Sequence, residues 1–313
     1  MTAAVSGPAS TERLWVAPFP VDVRSTLGVH RRGHGDPAFM AGEDGEIWRA
    51  CRTPDGPGTI RITAHRDAHA TQVHAAAWGP GADWLLEALP GWLGAADRPE
   101  KFVPVHAVLA AAARRHPEMR IGRTGLVLEA LVPAVLEQKV AGKEATRAWR
   151  ILLRRYGEPA PGPAPSGLRV PPSAAAWAAI PSWGWHRAGV EAVRAATIAS
   201  AARVAGRLEE IVTLCPDEAD RRLRSLPGVG PWTSAEVRQR ACGDPDAISV
   251  GDYHLPAIVG WALCGRAVGD AEMLELLAPY AGQRHRASML AALTGASPPR
   301  QAPRQALRDY RAI

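Results

Sequence analysis

The pattern of hydrophobic and polar positions changes character near residue 100 of this chain. Before that point, Glu46–Arg52 and Thr59–Thr63 alternate apolar and polar residues on either side of the turn Pro54–Gly58, which predicts antiparallel strands. Apolar spacing over 78–93 predicts a helix. We therefore expect an N-terminal antiparallel α+β domain over 16–104, preceded by a disordered tail at 1–15.

Beyond that domain the pattern is almost entirely helical. Apolar residues recur at three- and four-residue spacing through most of 105–296, which predicts a mainly α protein. A chain of 313 residues can hold two domains, or one domain of two helical lobes with an accessory region. The Pro-rich span 158–172 cannot be helical and is predicted to be a semi-rigid surface linker. Residues 297–313 are predicted to form a basic, mobile tail.

A glycine-containing turn lies between two of the predicted helices. One helix is expected to begin at Pro216 and end at Pro227, and Thr233–Cys242 is expected to form the next. Gly228 and Gly230 suit a tight turn that needs positive φ and close backbone approach. The unpaired amides that begin the second helix can face an anion such as a phosphate. An ordinary turn between helices has the same pattern.

Three segments together resemble the HhH-GPD superfamily of DNA glycosylases. Leu226–Ala235 resembles its helix-hairpin-helix, Pro245–Asp252 its Gly/Pro-rich loop and aspartate, and Leu128–Val140 the helix that ends in Gln beside the DNA-probing loop. Trp232 with Thr233 and Asp252 with Tyr253 are similar to the 3-methyladenine DNA glycosylase II (AlkA-like) branch. The resemblance covers 100–295 well and the first hundred residues weakly. It implies a two-lobed HhH-GPD core over 105–296 with an N-terminal antiparallel α+β domain.

The resemblance also implies roles for individual residues. Asp252 would be the catalytic carboxylate that stabilises the cationic sugar and orients water, although an Asp before Tyr253-His-Leu-Pro256 is also a conventional helix N-cap. The hairpin would bind a DNA phosphate, with a monovalent cation allowed there. The hairpin residues are Leu226, Gly228, Val229, Gly230 and Thr233.

Three residues are candidates for the base pocket. Trp232 would be an aromatic wall that favours a cationic base, with core packing as an equal alternative. Tyr253 would be a second wall. Glu236 stands where the AlkA-like family has an aromatic residue and would make the pocket more polar, although a solvated Glu on the helix face is the plainer interpretation.

Two further positions bear on the type of reaction. Bifunctional members of the superfamily carry a lysine two residues after the second hairpin glycine, where this chain has Trp232, so a monofunctional enzyme is expected. Gln138 and Lys139 would fill the gap left by an extruded base, Lys139 by pairing with a phosphate or the orphaned base rather than by stacking.

Composition is consistent with this interpretation and narrows it. The formal net charge of +6 favours an anionic partner, for which double-stranded DNA with damaged bases is the natural candidate. The four cysteines are scattered, so we expect no disulfide framework, metal site or cofactor, and the iron-sulfur loop of related branches is excluded. No apolar run suggests a membrane span, and a monomer in the cytoplasm, at the nucleoid, is expected.

The resemblance thus implies a monofunctional glycosylase of base excision repair that hydrolyses the N-glycosidic bond of flipped-out alkylated purines of the 3-methyladenine type. Two alternatives stay open. One is a glycosylase for another lesion, such as uracil, hypoxanthine or an oxidised purine. The other is a helix-hairpin-helix protein that binds damaged DNA without cutting it.

Overall fold

The computed structural model describes residues 10–42, 44–66 and 70–296. Its N-terminal part contains five strands: β1 (Thr11–Ala17), β2 (Phe39–Ala41), β3 (Ile47–Thr53), β4 (Gly56–Arg66) and β5 (Thr71–Trp78). They form one antiparallel sheet in the order β1-β5-β4-β3-β2, accompanied by helices α1 (Val23–Gly28) and α2 (Ala82–Trp92). The expected antiparallel α+β unit is therefore present at the N-terminal end of the helical core.

Strand β1 corrects the prediction of a disordered tail at 1–15. Residues 11–17 pair in register with β5, from Thr11 opposite Ala77 to Ala17 opposite Thr71. The prediction is therefore wrong over residues 11–15, because a short polar sequence becomes ordered once a partner strand sixty residues away supplies its hydrogen bonds. Residues 1–9 lie outside the described residues.

Alternate residues of the strands point to opposite sides of the sheet, and both sides carry buried residues, although Leu14 and Val16 of β1 are exposed. On one face Ile47, Cys51, Ile60 and Ile62 pack with apolar residues of α2. On the other face the indole rings of Trp48 and Trp78 stack with centroids 5.5 Å apart.

The Pro-rich span 158–172 covers that second face and is not a surface linker. It forms a small hairpin of β6 (Glu158–Pro159) and β7 (Arg169–Val170), and Leu168 and Val170 are buried against the stacked tryptophans. A side chain at Gly162 would collide with Trp78, so the arm approaches the sheet closely at this point. The linker prediction is wrong because proline excludes a helix but does not prevent packing.

The helical part consists of two cores, which confirms the two-lobed, mainly α fold. Its helices are α3 (Ala107–Arg115), α4 (Val127–Leu136), α5 (Gly142–Tyr156), α6 (Ala174–Ala179), α7 (Ser182–Ala188), α8 (Ala192–Arg203), α9 (Ala205–Glu209), α10 (Pro216–Arg224), α11 (Pro231–Val237), α12 (Leu255–Cys264), α13 (Asp270–Leu277) and α14 (Arg284–Leu293). Residues from α4 to α11 form the first lobe, whereas α3, α12, α13 and α14 form the second. The chain therefore passes between the lobes after α3 and again in the loop that joins α11 to α12.

Neither lobe carries a membrane-spanning element within the described part of the chain, where no helix is both long and apolar enough to cross a bilayer. The basic tail predicted at 297–313 lies outside the described residues.

A buried ion pair joins the segment after α2 to the second lobe. Asp97 pairs with Arg286 of α14, and both side chains are 2% exposed. Asp97 also accepts a hydrogen bond from the backbone amide of Ile121 at 3.0 Å, and Arg286 donates to Gln283 at 2.8 Å. Because burial makes an unpaired charge costly, each partner depends on the other.

We predict that Asp97→Ala lowers the free energy of unfolding by about 3–5 kcal/mol, because it leaves the Arg286 guanidinium buried without its counter-charge. The matched control is Glu100→Ala, which removes a solvent-exposed partner 4.0 Å from Arg98 and should cost less than about 1 kcal/mol. Urea unfolding of both variants measures the difference. Equal losses in the two would contradict the structural role of the buried pair.

Candidate active site

The candidate site begins at the hairpin between α10 and α11. The side chain of Val229 is buried and that of Leu226 is partly buried in the core of the first lobe, and the amide of Val229 donates to the carbonyl of Leu226 at 3.1 Å. These apolar anchors leave Gly228 at the surface. Any contact that the hairpin makes with an anion would therefore come from its backbone rather than from these side chains.

The two hairpin glycines have different conformations. Gly228 adopts φ +86°, and a side chain there would collide with Thr197 of α8. Gly230 is extended, with φ −96°, and a Cβ would meet no atom within 4 Å. The prediction of positive φ is thus confirmed for Gly228 and wrong for Gly230, which begins α11 as its N-cap.

Gln138 ties the hairpin to the end of α4. Its side-chain amide donates to the carbonyl of Gly228 at 2.9 Å and to the hydroxyl of Thr233 at 2.8 Å. The adjacent Lys139 is exposed and has φ 54°, the one positive φ of a non-glycine residue in the described ranges. Such a conformation is strained and is held by its surroundings. The structure thus places Gln138 and Lys139 beside the hairpin, with only Lys139 exposed.

The carboxylate of Asp252 is held by donors from two helices. One oxygen accepts the backbone amides of His254 at 2.8 Å and Leu255 at 2.9 Å, at the start of α12. The other accepts the indole N–H of Trp232 from α11 at 3.0 Å. Asp252 remains partly exposed, so its carboxylate is capped and oriented but still accessible.

The two aromatic candidates differ in their surroundings. Trp232 is partly exposed and its N–H is bound to Asp252, so it is not a core residue. Tyr253 is 89% exposed and contacts only the ring edge of His254 among the described aromatic rings, at 4.9 Å between centroids. Tyr253 therefore stands beside the carboxylate without lining an enclosed pocket in this structure, and its role as a wall stays a prediction.

Glu236 is buried, which corrects the interpretation of a solvated glutamate. It is 9% exposed and lies one turn beyond Trp232 on α11. One carboxylate oxygen accepts the hydroxyl of Ser249 at 2.6 Å, and the other pairs with Arg240 at 2.7 Å. Desolvation of the carboxylate is thus offset by a charge and a hydroxyl.

Arg240 extends this network to the N-terminal part. Its side chain donates to the carbonyl of Val29 at 3.4 Å, and its own carbonyl accepts the amide of Thr124 at 3.0 Å. The neighbouring His30 has a pKa well below its usual value because it is buried, and then because Arg49, Arg240 and Arg32 surround it. His30 therefore lies in a positively charged environment.

The residues that sequence reasoning missed are Ser249, Gln239 and Arg240. Gln239 donates to the carbonyl of Ala247 at 2.9 Å and to the hydroxyl of Ser249 at 3.1 Å. The four-residue spacing of Glu236 and Arg240 on a predicted helix could have signalled an ion pair. Nothing in the sequence marked Ser249.

No group of three or more His, Cys, Asp or Glu residues that could hold a metal ion occurs among the residues that the structure describes. The polar groups near Asp252 are connected by hydrogen bonds, and the one ion pair described among them joins Glu236 to Arg240.

Two solved structures that superpose on this chain are DNA glycosylases. The 3-methyladenine DNA glycosylase from Archaeoglobus fulgidus superposes with a TM-score of 0.72 at 17% identity, over 90% of this chain and 97% of that one. The 8-oxoguanine glycosylase/lyase from Clostridium acetobutylicum, solved with double-stranded DNA, gives 0.66 at 10% identity, over 92% and 97%. The chain has the HhH-GPD glycosylase fold, which confirms the resemblance found in the sequence.

A sequence relative is more limited in extent. The probable bifunctional transcriptional activator/DNA repair enzyme AlkA of Mycobacterium tuberculosis is 33% identical over 148 residues, which are 47% of this chain and 29% of that protein. The match thus spans less than a third of the length of the relative. No family model matches the chain.

The contrast between the two glycines gives a matched pair of variants. We predict that Gly228→Ala lowers the free energy of unfolding by about 1–3 kcal/mol, because it combines a strained φ with a collision at Thr197. Gly230→Ala should change it by less than about 0.5 kcal/mol. Urea unfolding tests both, and an equal effect of the two substitutions would contradict the hairpin geometry described above.

Proposed function

We propose that this protein is a monofunctional DNA glycosylase of base excision repair, which hydrolyses the N-glycosidic bond of flipped-out alkylated purines of the 3-methyladenine type. The observation that carries the proposal is the carboxylate of Asp252. It is partly exposed, oriented by Trp232 and by the amides that begin α12, and located where the chain passes between the lobes of a glycosylase fold.

The chemistry assigned to Asp252 follows from the transition state of this reaction. As the bond from the sugar to the base breaks, the sugar ring gains positive charge, and a fixed carboxylate nearby stabilises it without reorganising. The same group can orient or deprotonate the attacking water. Three hydrogen bonds restrict the side chain of Asp252, which is the rigidity that such stabilisation requires.

We assign DNA binding to the hairpin, to the start of α11 and to Lys139. The exposed backbone around Gly228 and the amides that begin α11 would bind a phosphate of double-stranded DNA, where a monovalent cation could also sit. Lys139, held in a left-handed conformation at the surface, would enter the gap left by the extruded base. Neither step requires a second copy of the chain, so we propose that a monomer acts.

Two features support the assignment of the lesion and of a single activity. The partly exposed indole of Trp232 offers an electron-rich face to a cationic alkylated purine. The same residue occupies the position of the Schiff-base lysine of bifunctional members, and the chain's lysines are Lys101, Lys139 and Lys143. Water is then the nucleophile.

An oxidised purine is the second candidate substrate. The observation in its favour is the likeness of the fold to the 8-oxoguanine glycosylase/lyase from Clostridium acetobutylicum. A protein that binds damaged DNA without cutting it is the third possibility, and it differs by releasing no base.

We predict that the purified protein releases a base from duplexes that carry one defined lesion, with 3-methyladenine-type purines the best substrates. Asp252→Asn should lower the single-turnover rate constant about a hundredfold or more, since it removes the charge that stabilises the sugar cation. Its affinity for the same duplex should change little. Release of no base from any duplex would refute the enzyme, and an unchanged rate in the variant would refute the role of Asp252.

The absence of a Schiff-base lysine at position 232 makes a separate prediction. Borohydride added during turnover should trap no covalent complex of protein and DNA, and abasic strands should remain intact until treated with alkali. Denaturing electrophoresis measures both. A trapped complex that disappears in Lys139→Arg would show that this exposed amine attacks the sugar, and the enzyme would then be bifunctional.

A further inference from the structure

The loop that carries Asp252 is hydrogen-bonded to one face of α11 and of the helical segment Arg238–Cys242 that follows it. Trp232 donates to Asp252 at 3.0 Å, and Glu236, one turn later, accepts the hydroxyl of Ser249 at 2.6 Å. Gln239 then donates to the carbonyl of Ala247 at 2.9 Å. Three successive side chains of one helical face thus hold three points of a six-residue loop, 247–252.

Ser249 is the centre of this attachment. Its side chain is buried, donates to Glu236 and accepts from Gln239 at 3.1 Å. Its backbone carbonyl accepts the amide of Asp252 at 3.1 Å. A shift of Ser249 would therefore move the backbone of Asp252, because this hydrogen bond joins the two residues directly.

Both carboxylate oxygens of Glu236 already bind donors of the protein. Ser249 takes one oxygen, and Arg240, which itself reaches the carbonyl of Val29, takes the other. A buried acceptor that satisfies two protein donors loses both if it turns to a ligand, which is unfavourable. The contacts of Glu236 are thus those of a support for the loop.

We infer that Glu236 and Ser249 are positioning residues for Asp252, an inference that rests on the proposed glycosylase function. They fix loop 247–252 against α11 so that the carboxylate stands at the distance from the sugar that charge stabilisation needs. Because a displacement of about 1 Å at a reacting centre can cost a hundredfold in rate, a support of this kind has a large effect without touching the substrate.

The test uses duplexes that contain an abasic analogue in either of two forms, a neutral tetrahydrofuran or a cationic pyrrolidine. The ratio of their dissociation constants reports how well Asp252 faces a positive sugar, and it does not depend on which lesion the enzyme excises. The wild-type chain should bind the cationic analogue more tightly. Asp252→Asn should abolish that preference.

We predict that Ser249→Ala and Glu236→Ala reduce the preference for the cationic analogue about tenfold or more, while affinity for the neutral analogue changes less than about twofold. Glu236→Gln retains an acceptor for the Ser249 hydroxyl and should restore most of the preference. In the Asp252→Asn background, Ser249→Ala should have no further effect on the ratio, because both act through one carboxylate.

Ser288→Ala is the matched control, since Ser288 is a buried serine of α14 whose hydroxyl donates to the carbonyl of His285 in its own helix at 2.7 Å. It should leave the ratio unchanged. The inference is overturned if Ser249→Ala and Glu236→Ala keep the full preference, or weaken binding of both duplexes equally, as a general loss of structure would.

Base release and analogue preference of the wild-type chain distinguish failure of this inference from failure of the proposed function. A wild-type chain that prefers the cationic analogue and releases a base supports the function, whatever the supporting variants do. A wild-type chain that shows no preference and releases no base refutes the function, and the inference with it.

Discussion

Hydrogen bonds from both helical lobes meet at the carboxylate of Asp252. Trp232 reaches it from α11, whose residues belong to the core of the first lobe, and the amides of His254 and Leu255 reach it from the start of α12 in the second. One side chain thus joins the two lobes where the chain crosses from α11 to α12. The hairpin directly precedes α11, the helix that carries Trp232. The distance from the carboxylate to any phosphate bound at the hairpin is therefore set by this one helix.

Local patterns in the sequence were sufficient to predict much of this arrangement. The helix before Pro227, the turn at Gly228 and the cap at Asp252 each depend on residues within about five positions of one another, and all are present. The two helical lobes follow from the spacing of apolar residues in the same way. Local periodicity determines which elements form.

Other features depend on contacts between distant segments, and the sequence did not reveal them. Glu236 is buried because Ser249 and Arg240 satisfy its oxygens, and Arg240 in turn reaches Val29, more than two hundred positions away. Strand β1 is ordered by β5, and the Pro-rich arm by the stacked rings of Trp48 and Trp78. In each case burial decides the conformation, and burial is a property of the folded chain.

The Pro-rich arm has a mechanical consequence. It extends from the first lobe and packs on the face of the sheet that carries Trp48 and Trp78. Asp97 joins the segment after α2 to Arg286 in the second lobe. The N-terminal unit is thus held by apolar packing at one point and by a buried charge at another, in addition to the bond from Arg240 to Val29. Rotation of this unit against the helical lobes would have to break contacts of different chemistry at the same time.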